Sequence, residues 1–114
     1  MFDIPMTVVE TAQFLRQARD VWTENERADF VDFIARNPES GDVIPETGGV
    51  RKLRWRRQGS GKRGGVRVIY FYYTANVPLF LLMIYAKAVR GDVSPDAKKV
   101  LAEFAARLKR TMRR

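Results

Sequence analysis

The sequence predicts an α+β domain: an N-terminal helical hairpin packed on a small antiparallel sheet, closed by a C-terminal helix. Three observations lead there. Residues 11–36 carry apolar side chains at helical spacing. Residues 50–57, 66–74 and 79–87 read as three strands in succession, joined by a glycine-rich basic loop and a short Ala75-Asn76 turn. Residues 94–108 open on a helix start signal and continue as an apolar stripe. A chain of 114 residues fits one domain, 1–114, with a core of its own.

Each element has a local reason. Residues 7–10 are short, with Val8 and Val9 apolar, as in an edge strand. Phe14, Leu15, Ala18, Val21 and Trp22 then fall on one face of a helix over 11–22. Thr23-Glu24-Asn25-Glu26 has the capping-box pattern, with Thr23 as N-cap and Glu26 reaching back. A second helix therefore starts there, with Ala28, Val31, Ile34 and Ala35 inward and Phe30 and Phe33 widening the stripe. Asn37 precedes Pro38, which disfavours helix and ends it. Residues 38–49 form a connector in which Val43 and Ile44 are expected to tuck in. The three strands follow in meander order, so antiparallel neighbours are the default. The last two are apolar on both faces, so both faces need cover. Ser94 as N-cap, Pro95 at the first helical position and Asp96 in the first turn start the closing helix. Val100, Leu101, Phe104, Ala105 and Leu108 form its stripe, and basic residues crowd its far end.

The charge is polarised. Residues 1–46 hold four basic and ten acidic groups, net −6; residues 47–91 carry +10 with no acid; residues 92–114 carry +4. Concentrated positive charge points to a nucleic-acid partner more than to solubility alone. There is no Cys, which suits a reducing cytoplasm and excludes thiolate metal sites. There is no His, the usual base near neutral pH and the commonest metal ligand. No carboxylate pair suggests a metal site, so neither metal nor cofactor is expected. The longest apolar run, 77–86, is short of a membrane span, and no signal peptide is read, so no membrane association is expected.

Strand parity selects the candidate site. Lys52, Arg54 and Arg56 share a face of the first strand; Arg67 begins the second, and Lys87 ends the third. With antiparallel neighbours, Arg67 and Lys87 fall at the same edge. A row of cations with no carboxylate opposite is expected to be solvated or to await an anion. The loop glycines at 59, 61, 64 and 65 do not match a Walker loop. Lys62 and Arg63 read either as solvated charges or as a cationic flap that pairs with phosphates. Arg56, Arg57, Lys62, Arg63, Tyr85 and Arg90 complete the candidate RNA-binding set. The aromatics Tyr70, Phe71, Tyr72 and Tyr73 read mostly as core.

Taken together, the chain resembles the RelE/HigB-type toxins of bacterial type II toxin–antitoxin systems, closest to the HigB-like branch. The resemblance spans about residues 7–108. It is carried by Lys52-Leu53-Arg54, Gly65-Val66-Arg67-Val68-Ile69-Tyr70 and Ile84-Tyr85-Ala86-Lys87, in that order and spacing. It implies a RelE-like microbial RNase-type fold and a ribosome-dependent, metal-independent endoribonuclease. Such an enzyme enters the A site of the small ribosomal subunit, contacts rRNA, and cuts bound mRNA by 2′-hydroxyl attack on the adjacent phosphate, which inhibits translation. By motif, Lys52, Arg54, Arg67 and Lys87 become the catalytic set, while Ala88 occupies the place of an arginine found in some relatives. Relatives often carry Tyr or His in or after the last helix, and this chain has neither there. Lys52 and Lys87 are then the candidate bases, because neighbouring arginines lower a lysine pKa. The resemblance also implies a cognate antitoxin, helix-turn-helix-bearing and HigA-like, acting in the cytoplasm. Two alternatives stay open: a ParE-like toxin that binds DNA gyrase, and a non-catalytic RNA-binding module.

Overall fold

The computed structural model describes residues 4–55, 65–87 and 92–112. Its strands are β1 (Val8–Glu10), β2 (Asp42–Val43), β3 (Val50–Trp55), β4 (Val66–Phe71) and β5 (Leu79–Ala86). Its helices are α1 (Ala12–Ala18), α2 (Glu24–Arg36) and α3 (Pro95–Met112). The strands form one sheet in the order β1-β5-β4-β3-β2. The three central strands make the expected antiparallel meander. The sheet as a whole is mixed, because β1 runs parallel to β5. The two are separated by most of the chain rather than by a tight turn, so nothing local forces them antiparallel.

Both helix starts in the hairpin are capped. Thr11 Oγ1 accepts from the Phe14 amide, and Thr23 with Glu26 forms the reciprocal capping box at 2.8 and 3.1 Å. α1 is shorter than its periodicity suggested and ends at Ala18. A turn follows in which the Val21 and Trp22 amides donate back to the Ala18 carbonyl. Trp22 is buried all the same, its ring meeting Phe14 at 6.3 Å and Phe30 at 5.5 Å. It is the joint between the two helices. In α2 the buried residues are Phe30, Ile34 and Ala35, and Ala28 is exposed. The inward stripe is thus rotated toward the aromatics, which remove more apolar area from water than alanine does.

The helical hairpin covers one face of the sheet, against Val66, Val68, Tyr70, Leu79, Leu81 and Ile84. α3 covers the other, where Leu101 and Ala105 pack with Val50, Ile69, Phe71 and Met83. Of its expected stripe, Val100 is exposed. A β-bulge between Ile69 and Tyr70 lets β5 bury Leu82 and Met83 together. The connector is half anchored: Ile44 is buried, whereas Val43 lies exposed in β2. The buried Thr47 closes the β2–β3 turn, donating to the Ile44 carbonyl at 2.7 Å and accepting from the Val50 amide at 3.1 Å.

Candidate nucleic-acid interface

The register of β3, β4 and β5 assembles the site. Arg54 lies opposite Arg67, and Arg67 lies opposite Tyr85. Directly paired residues project to the same face, so these three side chains form one row across the sheet. The face is the one α3 packs on, since Ile69 and Val50, two and four residues along, belong to the α3 core. Lys52 sits on the same face one pleat inward, opposite Ile69. Lys87 follows β5, exposed, its amide donating to the Gly65 carbonyl at 3.2 Å. Lys52, Arg54, Arg67, Tyr85 and Lys87 therefore gather at one end of one face. Arg56, Arg57, Lys62, Arg63 and Arg90 lie outside the described residues.

Two features differ from a solvated row of cations. Arg67 is 5% exposed, enclosed by its neighbours, whereas Arg54 stands open to solvent. A central strand with cover on both sides leaves little room at its ends, so the guanidinium is held rather than swinging. Lys52 has an acidic partner after all: its Nζ donates to Asp92 Oδ1 at 2.8 Å. The acid-free stretch ends at residue 91, and the first carboxylate beyond it returns to the row. The Lys52 hydrogen bond and charge hold the Asp92 carboxyl below its usual range, with further help from Lys98 and Arg67. Asp92 was not selected from the sequence. Its only signal there was its place two residues before the Ser94 cap, whose hydroxyl accepts from the Ala97 amide at 3.1 Å.

The scaffold behind the row is fixed by Tyr70. Its hydroxyl donates to the Pro38 carbonyl and accepts from the Gly41 amide, both at 2.8 Å. Arg51 Nη1 adds a bond to the Gly41 carbonyl at 2.8 Å. Together they hold the connector against β3 and set β2 alongside Lys52, with Asp42 and Lys52 as cross-strand partners. Burial pushes the Tyr70 hydroxyl up, so it stays a neutral donor. Tyr70 is core, as its alternation suggested.

The row can do a limited set of things. Two guanidiniums can face one phosphate, while the Tyr85 ring is packed in the core beneath them. An ion-paired ammonium beside them can exchange its carboxylate for a phosphate. This is equipment for holding and stabilising an anion.

A helical layer, a mixed five-stranded sheet and a closing helix define a small α+β domain with cations clustered at one sheet end. The chain is similar in fold to a solved toxin, E. coli RelE in the free state with two arginines changed to alanine, at 13% identity and a TM-score of 0.54. That match covers 75% of this chain and 87% of the other. The family model for the RelE toxin of the RelE/RelB toxin–antitoxin system matches residues 6–114, and the chain belongs to that family.

Proposed function

We propose that this RelE-family toxin is a ribosome-dependent mRNA endoribonuclease, and that Arg54, Arg67, Tyr85, Lys52 and Lys87 form its site. The observation that carries the reading is the Arg54–Arg67–Tyr85 row, a set of donors aligned on one face. In the reaction, the ribose 2′-oxygen attacks the adjacent phosphorus and the 5′-oxygen leaves. The products are a 2′,3′-cyclic phosphate and a 5′-hydroxyl. Negative charge builds on the phosphorane oxygens, and Arg54 and Arg67 face it. The buried Arg67 needs little reorganisation to do so, while the exposed Arg54 closes on the substrate. Lys52, held by Asp92 at 2.8 Å, serves as a phosphate contact. Lys87, exposed just past β5, is the proposed proton acceptor. So small a catalytic set fits an enzyme that relies on the ribosome to align its substrate. With no His or Cys in the chain, cleavage is expected to survive chelation of metal where ribosomes are kept intact.

We place the protein in the HigB-like branch, with a cytoplasmic, HigA-like antitoxin. The test is to map mRNA ends after expression in cells. Cuts inside translated codons, with 2′,3′-cyclic or 3′-phosphate termini, support the reading; a 3′-hydroxyl terminus rules out 2′-oxygen attack. DNA breaks without RNA cuts would favour a gyrase-binding toxin. RNA binding without either would leave a non-catalytic module.

A further inference from the structure

The two edges of β5 are held differently. β1 pairs with it only as far as Leu81, where the Thr11 amide and hydroxyl both donate to the Leu81 carbonyl, at 3.2 and 2.7 Å. β5 then runs on to Ala86 with β4 on one side and, among the described residues, no strand on the other. The bulge also leaves Leu82 out of the pairing with β4. This last stretch is the one that brings Tyr85 and Lys87 to the row. One side chain reaches its open edge: Gln17, in the last turn of α1, accepts from the Ile84 amide through Oε1 at 3.0 Å. Successive residues of a strand turn their amides to opposite edges. With the Ile84 amide on the outer edge, those of Tyr85 and Lys87 point to β4, and the Lys87 amide does donate to the Gly65 carbonyl. Gln17 is itself held, because its carbonyl accepts from the Asp20 amide at 3.2 Å in the turn that follows α1.

Resting on the endonuclease reading above, we propose that Gln17 is a positioning residue for cleavage: its amide oxygen stands in for a neighbouring strand on the open edge of β5 and fixes Lys87 in place against Arg67. Ile84 is 1% exposed, so without Gln17 its amide is a buried donor that water does not reach. The strand end is then held from the β4 side alone. The hairpin that carries Gln17 packs on the face opposite the row, so Gln17 acts through β5 and not on RNA directly. Its effect therefore falls on the rate of the chemical step, which depends on geometry, and not on the binding of substrate. The bond asks only for an acceptor, so a carboxylate of the same length can replace the amide.

The experiment compares Gln17→Met, which keeps the length and loses the acceptor, with Gln17→Glu, which keeps both. Thr23→Ala is the reference for a loss of stability in the same helical layer without a link to β5. Single-turnover cleavage of ribosome-bound mRNA is followed over a range of toxin concentrations, beside melting temperature and amide hydrogen exchange of the free protein. Gln17→Met is expected to lower the maximal rate by about ten- to a hundredfold, the scale of a displacement of an ångström or less, with the half-saturating concentration unchanged. Exchange at the Ile84 amide should quicken about tenfold, the scale of one net hydrogen bond. Gln17→Glu should restore both, and Thr23→Ala should cut like wild type. A Gln17→Met variant that cuts at the wild-type rate overturns the proposal, as does a loss shared by Gln17→Glu or by Thr23→Ala. Unchanged Ile84 exchange in Gln17→Met overturns it independently of any cleavage. A wild type that cuts no ribosome-bound mRNA overturns the endonuclease reading itself and this inference with it.

Discussion

Arg54 and Arg67 face each other across two strands, yet their burial separates what each substitution should do. Arg54 is exposed, so Arg54→Ala should leave the melting temperature nearly unchanged and lower cleavage by about 10²–10³, the usual cost of one transition-state donor. Arg67 is buried, so Arg67→Ala should remove activity and also destabilise the fold by about 1–3 kcal/mol, visible as a melting temperature several degrees lower. Equal melting temperatures for the two variants would show that Arg67 contributes nothing to packing. Asp92 makes a different prediction. Its folded pKa is depressed, so what the Lys52 pair contributes is present above the unfolded value of 3.8 and is lost as pH falls through the lower folded value. Across neutral pH the pair is intact. Asp92→Asn should therefore lose at neutral pH only the small contribution of an exposed ion pair, and it should release the Lys52 charge. The slope of log affinity for single-stranded RNA against log salt should steepen by about 0.7, one phosphate's worth. A slope equal to wild type would mean that Lys52 does not reach RNA.

The elements that matter most are the joints rather than the strands. Gly41 is one. A Cβ there would meet the Tyr70 hydroxyl at 2.9 Å and the Lys52 carbonyl oxygen at 3.0 Å, so the connector, Tyr70 and β3 all resist it. Gly41→Ala should cost about 1–3 kcal/mol by overpacking and should also impair cleavage, since it presses on the backbone that carries Lys52. Urea unfolding beside an activity assay would show both; loss of stability with full activity would disconnect the connector from the site. The capping box at Thr23 is the control. Thr23→Ala removes the acceptor for the Glu26 amide and should cost about 0.5–2 kcal/mol without touching cleavage, because α2 covers the opposite face of the sheet.

At the scale of the molecule, charge and layer coincide. The N-terminal 46 residues carry net −6 and supply the helical layer; the cations lie on the strands and α3 beyond it. An acidic antitoxin is thus drawn to the α3 side and repelled from the hairpin side. Raising ionic strength from about 0.1 M to 1 M shortens the screening length from about 10 Å to 3 Å, and association should slow by at least about tenfold. If the antitoxin masks the row directly, Arg54→Ala with Lys87→Ala should weaken binding and flatten that salt dependence. Unchanged affinity in the double variant would place the antitoxin on another surface, blocking by bulk.

The sequence alone determined the order of elements except β2, which lay in the stretch read as a connector, because the other signals are local: a capping box at Thr23, Pro38 after Asn37, the Ser94 cap, and apolar strand runs. It also determined that Lys52 and Arg54 share a face of their strand, since parity settles that within one strand; that Arg67 joins them took the β3–β4 register. Register, burial and partner choice belong to the tertiary structure. Nothing in β1 says that it runs parallel to β5, because that pairing joins residues some 70 positions apart. Nothing local makes Arg67 buried and Arg54 exposed; the difference comes from position within the sheet and from what covers it. The return of Asp92 to Lys52 across 40 residues could not be read from spacing. Charges interact through space rather than along the chain, and only the fold decided which ones meet.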